Sequence, residues 1–540
     1  MTETTRRTVL AVALAAAAAL PAGLAAGAPA DTADAAPITI DPARRLQRID
    51  GFGASALTGF GAFQRGHFDQ VVPRGVTYKT TPSQREALLT TLVRDLGVSH
   101  VRIWVFPAGI ERANDNDDPA VMNWKAFTWS GDRDRPQAST MLANRINGIE
   151  ELGEVLKVAV PLGMTHWILT PGNLPGWLMH RLNDPHDKAR FAEYAEWAAA
   201  HVLYLKKQFG FEAPYWSLFN EPDNRGWTDA TMWREWIRAV GRRFGKEGLK
   251  TKIVFPDYMN VHRAVKLVPH VLADAEVRRY VGALAYHHYR GSGDGPQPFL
   301  ETVGRPGTAD AGATYERITR GARGMAELGR KFALPSWQTE TGYYPRFTKK
   351  LPEWQIGRAR ANEIYYELRS GASAVQGMFM LWVDAVDPRY DATVRHEGHH
   401  VVMKTDGTHV TGWQVTRDCG AVFAHYARFV RPGDHRVEAA CSDPMLRPTA
   451  FVGRKEKRVT LVVVNNASKP RRVRIRLPRP WDDASARTRS LLTNATCMLA
   501  EGKLRPTRDR QGAYVTQIPA HSLATFVWDA ENRTPAPAER

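Results

Sequence analysis

Cysteine is scarce in this sequence: Cys419, Cys441 and Cys497 are the whole complement among 540 residues. At those separations they make neither a metal-ligand spacing nor a disulfide framework, although one pair could bridge in an oxidising compartment and leave the third thiol free. Long apolar runs are missing after the first residues, and without about eighteen uncharged apolar residues in a row no membrane span is expected. No internal repeat is visible. No Gly-rich nucleotide-binding turn follows the first candidate strand either, because Gly51-Phe-Gly53-Ala-Ser55 leads into a long irregular loop. Acidic residues are the minority charge, 56 against 73 Lys and Arg, for a formal charge of +17. What is present is ordinary globular material, 43% hydrophobic and 24% charged. That suffices for one large domain and a smaller one, and argues against a disordered or fibrous chain.

The positive charge invites a nucleic-acid reading, so its placement matters. Between Arg454 and Arg510 sixteen Lys and Arg stand against five Asp and Glu. There Arg472-Val-Arg-Ile-Arg-Leu477 alternates with period two, which sets Val473, Ile475 and Leu477 on a buried strand face and the arginines on a solvated one. A basic outer sheet face accounts for this; attraction to an acidic polymer or cell wall is the alternative. No nucleic-acid-binding module signature accompanies it. At the other end, Thr5-Arg-Arg-Thr-Val-Leu10 runs into an Ala/Leu/Val segment too short to span a bilayer, followed by the small-residue sites Ala28-Pro-Ala30 and Ala33-Asp-Ala35. Residues 1–36 read as an export signal, the paired arginines favouring the twin-arginine route, and the mature protein is expected to be a secreted, soluble monomer.

From residue 49 to 432 short apolar runs alternate with long amphipathic stretches. Eight candidate strands are Ile49–Gly53, Val101–Trp104, His166–Thr170, Tyr215–Asn220, Ile253–Pro256, Leu284–His287, Ser336–Glu340 and Met378–Trp382. Helical stretches between them include Ser83–Leu96, Asn144–Leu156, Lys188–Phe209, Thr231–Glu247, Tyr315–Phe332 and Glu353–Arg369, with Ser83 and Glu86 spaced as a capping box. Parallel strands need crossover helices and eight close a sheet, so the pattern predicts an α/β chain with a (β/α)8 barrel over 49–432. After Arg431-Pro-Gly433 the short strands Val459–Val464, Arg472–Leu477, Ala513–Ile518 and Ser522–Trp528 predict a C-terminal β-sandwich over 433–530. Residues 37–48, with Ile38–Ile40, are expected to add a strand to it, and 531–540 to form a tail.

Two carboxylates then stand out, because catalytic groups of such barrels sit at the C-terminal ends of strands. Glu221, in Phe219-Asn-Glu-Pro222, ends the fourth strand, and Glu340, in Gln338-Thr-Glu-Thr341, ends the seventh. Held about 5 Å apart, two carboxylates suit retaining glycoside hydrolysis, one as general acid/base and one as nucleophile on the anomeric carbon. The acid must hold a proton while the nucleophile is ionised. Tryptophans at or beyond strand ends, Trp104, Trp177, Trp227 and Trp382, offer flat faces for a sugar, whereas Trp216 and Trp337 lie inside strands and read as core.

These motifs, with Asp50-Gly-Phe-Gly-Ala-Ser55 and Phe379-Met-Leu-Trp382, resemble the retaining (β/α)8 glycosidase clan, and within it glycoside hydrolase family 30, the relatives of glucosylceramidase, xylanase and β-1,6-glycanases. Phe423-Ala-His-Tyr-Ala-Arg-Phe-Val-Arg-Pro-Gly433 and Ile518-Pro-Ala-His-Ser-Leu-Ala-Thr-Phe526 are similar to that family's last barrel helix and closing sandwich strand. The resemblance implies Glu221 as acid/base, Glu340 as nucleophile, Asn220 as donor to the substrate 2-hydroxyl, Tyr289 as the aromatic bonded to the nucleophile and Trp382 as the sugar platform. Arg102, on the second strand, and His287 join Trp104, Trp177 and Trp227 as candidate substrate-binding residues, Arg102 also as the group that holds the nucleophile ionised. No metal or organic cofactor is implied, and the expected partner is a β-linked polysaccharide or oligosaccharide such as xylan, β-1,6-galactan or β-1,6-glucan. The segments Thr58–Lys79 and Pro107–Ala138 carry no pattern of the family.

Two other readings remain open on the sequence. His396-Glu-Gly-His-His400 matches H-E-x-x-H literally, but a zinc protease needs both histidines on one helix face, and Gly398 with Val401-Val402 reads as a loop entering a strand. A non-catalytic carbohydrate-binding barrel is the second alternative, and it gives no reason for both glutamates to be kept.

Overall fold

The chain enters through β1 (Ala36–Arg48), which belongs to an outer sheet, and then lays down eight short strands. These are β2 (Gly51–Ala54), β3 (His100–Val105), β4 (His166–Pro171), β5 (Tyr215–Ser217), β6 (Lys252–Tyr258), β7 (Val281–His287), β8 (Ser336–Glu340) and β9 (Ala374–Gly377). All neighbours pair in parallel in the order β2-β9-β8-β7-β6-β5-β4-β3. The parallel bridge of Ser55 to Arg102 and the Ser99 N–H bond to the Phe52 carbonyl (3.0 Å) join the two ends, so the sheet closes into the (β/α)8 barrel. At that seam only glycine fits at position 53, where a Cβ would stand 2.0 Å from the His100 carbonyl oxygen. The computed structural model describes residues 35–55, 81–105, 111, 114–116, 118–127, 149–172, 174–179, 187–288, 319–342, 351–377, 379–384, 399–405, 409–477, 481 and 487–529. The export segment, the tail and most of the two unmatched loops therefore lie outside the described residues.

Helices between the strands cover the barrel with their apolar faces. Lys188–Phe209 runs 22 residues from an Asp187 N-cap to a left-handed Gly210, with buried residues on nearly every turn. Ala230–Lys246 lays Trp233, Trp236, Ile237, Val240 and Phe244 against it and the sheet. The first barrel helix, Pro82–Leu89, begins one residue earlier than the sequence suggests: Thr81 and Gln84 make the capping box in place of Ser83 and Glu86, because Pro82 occupies the first helical position where its missing N–H costs nothing.

The eighth strand is a correction. Ala374–Gly377 fills that place in the barrel, and the expected run continues instead as β10 (Phe379–Asp384), paired with β11 (His399–Thr405) and β12 (Val410–Val415) in a separate three-stranded sheet. His400 therefore sits in a strand, buried, with Nδ1 3.6 Å from the Cys419 sulfur. A histidine in a strand cannot be the second ligand of a helical zinc clasp, so His400 does not fit the protease reading; His396 lies outside the described residues.

The outer sheet has ten strands in one continuous order. It adds to β1 the strands β13 (His435–Cys441), β14 (Leu446–Val452), β15 (Arg458–Asn465), β16 (Arg471–Arg476), β17 (Arg487–Thr493), β18 (Ala500–Glu501), β19 (Thr507–Arg508), β20 (Tyr514–Ile518) and β21 (Ser522–Asp529). β1 is the staple, antiparallel to β13 and parallel to β16, with irregular register after Asp41. The sheet wraps an apolar core of Ile38, Val437, Leu461, Val463, Val473, Ile475, Phe526 and Trp528. Val462, Val464 and Leu523 point the other way, onto Ile49, Phe52, Ile364, Phe423 and Tyr426 of the barrel. That is why β15 is apolar on both faces. On β16, Arg471 pairs with Asp443 and Arg474 with Asp509, so part of the strand's positive charge is compensated. The three cysteines are free thiols, Cys419 fully buried at the barrel–sheet contact, and no pair bridges. No helix among the described residues is long and apolar enough to cross a membrane.

Candidate active site

β5 stops at Ser217, but the chain stays tied to the sheet's rim. Asn220 N–H reaches the Pro171 carbonyl at 3.0 Å and Glu221 N–H the Asp257 carbonyl at 3.1 Å, so residues 220–221 hang between the ends of β4 and β6. Glu221 takes a left-handed backbone (φ 50°), and Pro222, with its fixed φ, opens a 3-10 turn over 222–225. That conformation is uncommon for a non-glycine residue and marks a place where geometry is enforced by its surroundings. Asn224 Nδ2, one turn on, donates to Glu221 Oε2 at 2.9 Å. Glu340, the last residue of β8, receives Arg102 Nη1 on Oε2 at 2.6 Å and Ser55 Oγ on the same oxygen at 3.3 Å.

The two carboxylates meet. One oxygen of Glu221, one of Glu340 and one ring nitrogen of His287 all lie within 4.8 Å of one another. Their exposures differ: the Glu221 side chain keeps 18% of its surface while Glu340 keeps 4%. A group that must trade a proton with a leaving oxygen and later with water needs the more open position.

Arg102 is fully buried and holds four partners, Glu340, Asn220, Asp257 and Ser55. Burial opposes its charge, yet Asp257 and Glu340 outweigh that and hold the guanidinium pKa above its usual value. Asp257, at the rim end of β6 and itself left-handed (φ 59°), is the residue that the sequence reading missed. Burial pushes its pKa up, but Arg102 and the His287 hydrogen bond pull it well below the usual carboxylate range. His287 bridges the two sides, Nδ1 to Glu221 Oε1 at 2.9 Å and Nε2 to Asp257 Oδ1 at 3.2 Å. Burial works against its proton, but Glu340 and the bonds to Asp257 and Glu221 prevail, and its pKa is pushed up to about 10.

Arg102 and His287 were expected among the substrate contacts. Both are 0% exposed and bonded to the glutamates and Asp257. Trp104 is buried with its ring 5.2 Å from the Arg102 guanidinium carbon, covering that cation. Trp227 is also core, 3% exposed and packed on Phe219 and Trp236. Trp177 is half-buried, its Nε1 donating to the Glu111 carbonyl at 3.3 Å. Trp216 and Trp337 are fully buried, as expected. Tyr289 and the Trp382 side chain lie outside the described residues. Besides Asp257, the sequence reading gave no role to Ser55, Ser217, Asn224 or Thr339. Position at the barrel rim was the available signal for Asp257 and Thr339.

No family model matches the chain, and no curated protein does. Solved structures do. An endoxylanase of glycoside hydrolase family 30 from Clostridium papyrosolvens C71 superposes with a TM-score of 0.59 at 19% identity, over 91% of this chain and 100% of that one. The catalytic domain of the family 30 xylanase C from Talaromyces cellulolyticus gives 0.59 at 16%, over 91% and 99%. An endo-β1,6-glucanase gives 0.57 at 17%, over 91% and 93%. At these identities the likeness establishes a shared fold, barrel and side sheet together, and nearly the whole length takes part.

Proposed function

We propose that the chain is a secreted, retaining glycoside hydrolase that cleaves a β-linked polysaccharide or oligosaccharide by double displacement, with Glu340 as nucleophile and Glu221 as acid/base. The separation of the two carboxylates carries the reading, with oxygens within 4.8 Å. Retaining pairs stand about 5–5.5 Å apart, whereas inverting pairs need roughly 6.5–9.5 Å to admit a water between them.

In the first step a Glu340 oxygen bonds to the anomeric carbon, the bond to the leaving oxygen breaks, and the Glu221 proton passes to that oxygen. Arg102 and Ser55 both bind Glu340 Oε2, which orients the carboxylate at the end of β8 for the attack. In the second step Glu221, now a carboxylate, takes a proton from water; the water oxygen bonds to the anomeric carbon and Glu340 departs. Asn220 spends its carbonyl oxygen on Arg102, an arrangement that leaves its amide N–H groups to donate to a sugar 2-hydroxyl.

The fold shared with xylanases and an endo-β1,6-glucanase supports xylan and β-1,6-glucan as the first substrates to try, with β-1,6-galactan, expected from the sequence motifs, beside them, and the leader sequence supports action outside the cytoplasm. Purified protein incubated with a panel of β-glycans, with product sizing and NMR of the first-formed anomer, tests the reading. Turnover with the retained anomer is expected. An inverted first product, or no turnover of any β-glycan, would overturn it.

A further inference from the structure

Asp257 is reached by five donors although it touches neither the sugar side of the site nor solvent. Its Oδ2 accepts Arg102 Nε at 3.1 Å, Arg102 Nη2 at 2.9 Å and Ser217 Oγ at 2.9 Å; its Oδ1 accepts Thr339 Oγ1 at 2.7 Å and His287 Nε2 at 3.2 Å. Each cation it holds has its other end on one of the two glutamates, Arg102 on Glu340 and His287 on Glu221. The Asp257 backbone carbonyl adds a third tie, to the Glu221 N–H. One buried carboxylate thus braces both halves of the reaction.

We infer that Asp257 and His287 are positioning residues that fix when the Glu221 proton leaves, with His287 held as a standing cation between the two carboxylates. The inference rests on the proposed double displacement. Its first ground is geometry: the buried His287 ring has Nδ1 2.9 Å from Glu221 Oε1 and Nε2 3.2 Å from Asp257 Oδ1, so a ring protonated on both nitrogens gives each carboxylate a donor. The second ground is charge. In the free site Arg102 and His287 contribute two positive charges and Asp257 and Glu340 two negative ones, which balances only while Glu221 is neutral. When Glu340 becomes an ester it loses its charge, and the site balances again only when Glu221 is the anion. Both states that the mechanism needs are the balanced ones. With a neutral His287, each would carry a net negative charge buried beneath the substrate. Among the described residues Asp223, in the same turn, is a further ionisable neighbour of Glu221, and its oxygens accept the Met259 and Asn260 N–H groups at 2.9 and 3.0 Å.

His287→Gln and Asp257→Asn test this with whichever aryl β-glycoside the wild type turns over. Losing a cation beside Glu221 makes its proton harder to remove, so the basic limb of kcat/KM is expected to move up by roughly one to three pH units in His287→Gln. Hydrolysis of the trapped glycosyl-enzyme, which needs the Glu221 anion, should require correspondingly higher pH. Asp257→Asn removes one negative charge together with the partner that keeps His287 charged, so the charge sum is unchanged and its basic limb should move less than that of His287→Gln. A His287→Gln profile with wild-type limbs, or an Asp257→Asn shift as large as that of His287→Gln, would overturn the inference. A second measurement needs no variant to fold: nitrogen NMR of histidine-labelled wild type at pH 8 should show both His287 ring nitrogens protonated, and a neutral ring would overturn it. Failure of double displacement itself appears separately, as an inverted product or an untrappable intermediate in the wild type.

Discussion

Replacing Arg102 probes the site where its charges are most tightly packed. The guanidinium lies 2.6 Å from Glu340 and 2.9 Å from Asp257, with all three side chains between 0% and 4% exposed. In Arg102→Met the stem volume is kept and the charge is lost, so two buried carboxylates face one another without it. Removing one partner of a buried ion pair costs about 3–5 kcal/mol, because the remaining charge is left without compensation. Protonating a carboxylate relieves that cost. The wild-type Asp257 pKa is depressed, so its contribution to stability is fully present above the ordinary aspartate range and is lost only as pH falls below that range toward the depressed value. The variant lacks that contribution, and its unpaired carboxylates take up protons as pH falls from 7, so the stability gap between the two proteins should be widest near pH 7 and narrow toward pH 4. For activity, Arg102→Lys is the sharper change, since a point ammonium cannot reach Glu340, Asn220 and Asp257 together. The nucleophile would then take a proton more readily, and the acid limb of kcat/KM should rise by roughly one to three units. Denaturant unfolding of the Met variant at several pH values and pH–rate profiles of the Lys variant are the assays. If Arg102→Lys kept the wild-type profile and kcat and raised only KM, Arg102 would be contacting substrate, and the assignment of the arginine to the nucleophile would fall.

Two further outcomes follow from the frame around the site. His425 is buried between Thr525 and Thr493, 2.8 Å from each hydroxyl, and burial brings its pKa down to about 3. The unfolded chain binds a proton there below about pH 6.5 and the folded chain does not, so stability falls with acidification by about 1.4 kcal/mol per pH unit from this group between about pH 6 and 4; denaturant midpoints of His425→Gln should lack that slope. Gly53→Ala would drive a Cβ to 2.0 Å from the His100 carbonyl at the barrel seam, and calorimetry should show a loss of at least roughly 1–3 kcal/mol, the usual range for overpacking. A melting curve unchanged by that substitution would contradict the seam geometry.

The strands of the barrel were legible because each is a short apolar run bounded by breakers, and Ser336–Glu340 falls where the sequence puts it. The eighth was misplaced because Ala374-Val-Gln-Gly377 is small and half polar, while Phe379–Trp382 beside it is the stronger apolar run. β13 and β14 went unseen for a related reason: His435-Arg-Val-Glu-Ala-Ala-Cys441 shows only Val437 and Ala439 to the core. Glu221 and Glu340 were readable from strand-end position plus paired chemistry. Asp257 was not, because Phe255-Pro256-Asp257 reads as a strand running into a turn, and its five bonds come from residues 30 to 155 positions away, farther than any local pattern spans. Trp104 and Trp227 misled because a tryptophan at a strand end suits a core as well as a sugar face; only burial separates the two.

The central claim is that Glu340 and Glu221 act at different moments, and azide separates them. Glu340→Ala removes the nucleophile, so turnover should collapse by several powers of ten. Azide entering the vacated space should restore part of it, giving a glycosyl azide inverted relative to the substrate. Glu221→Ala removes the proton donor, so an aryl glycoside with an acidic phenol should still glycosylate Glu340 in a burst while poor leaving groups stall. Azide attacking that intermediate should give the retained glycosyl azide. NMR of the two products is the measurement: opposite anomers from the two variants are what the account requires, and the same anomer from both would contradict it.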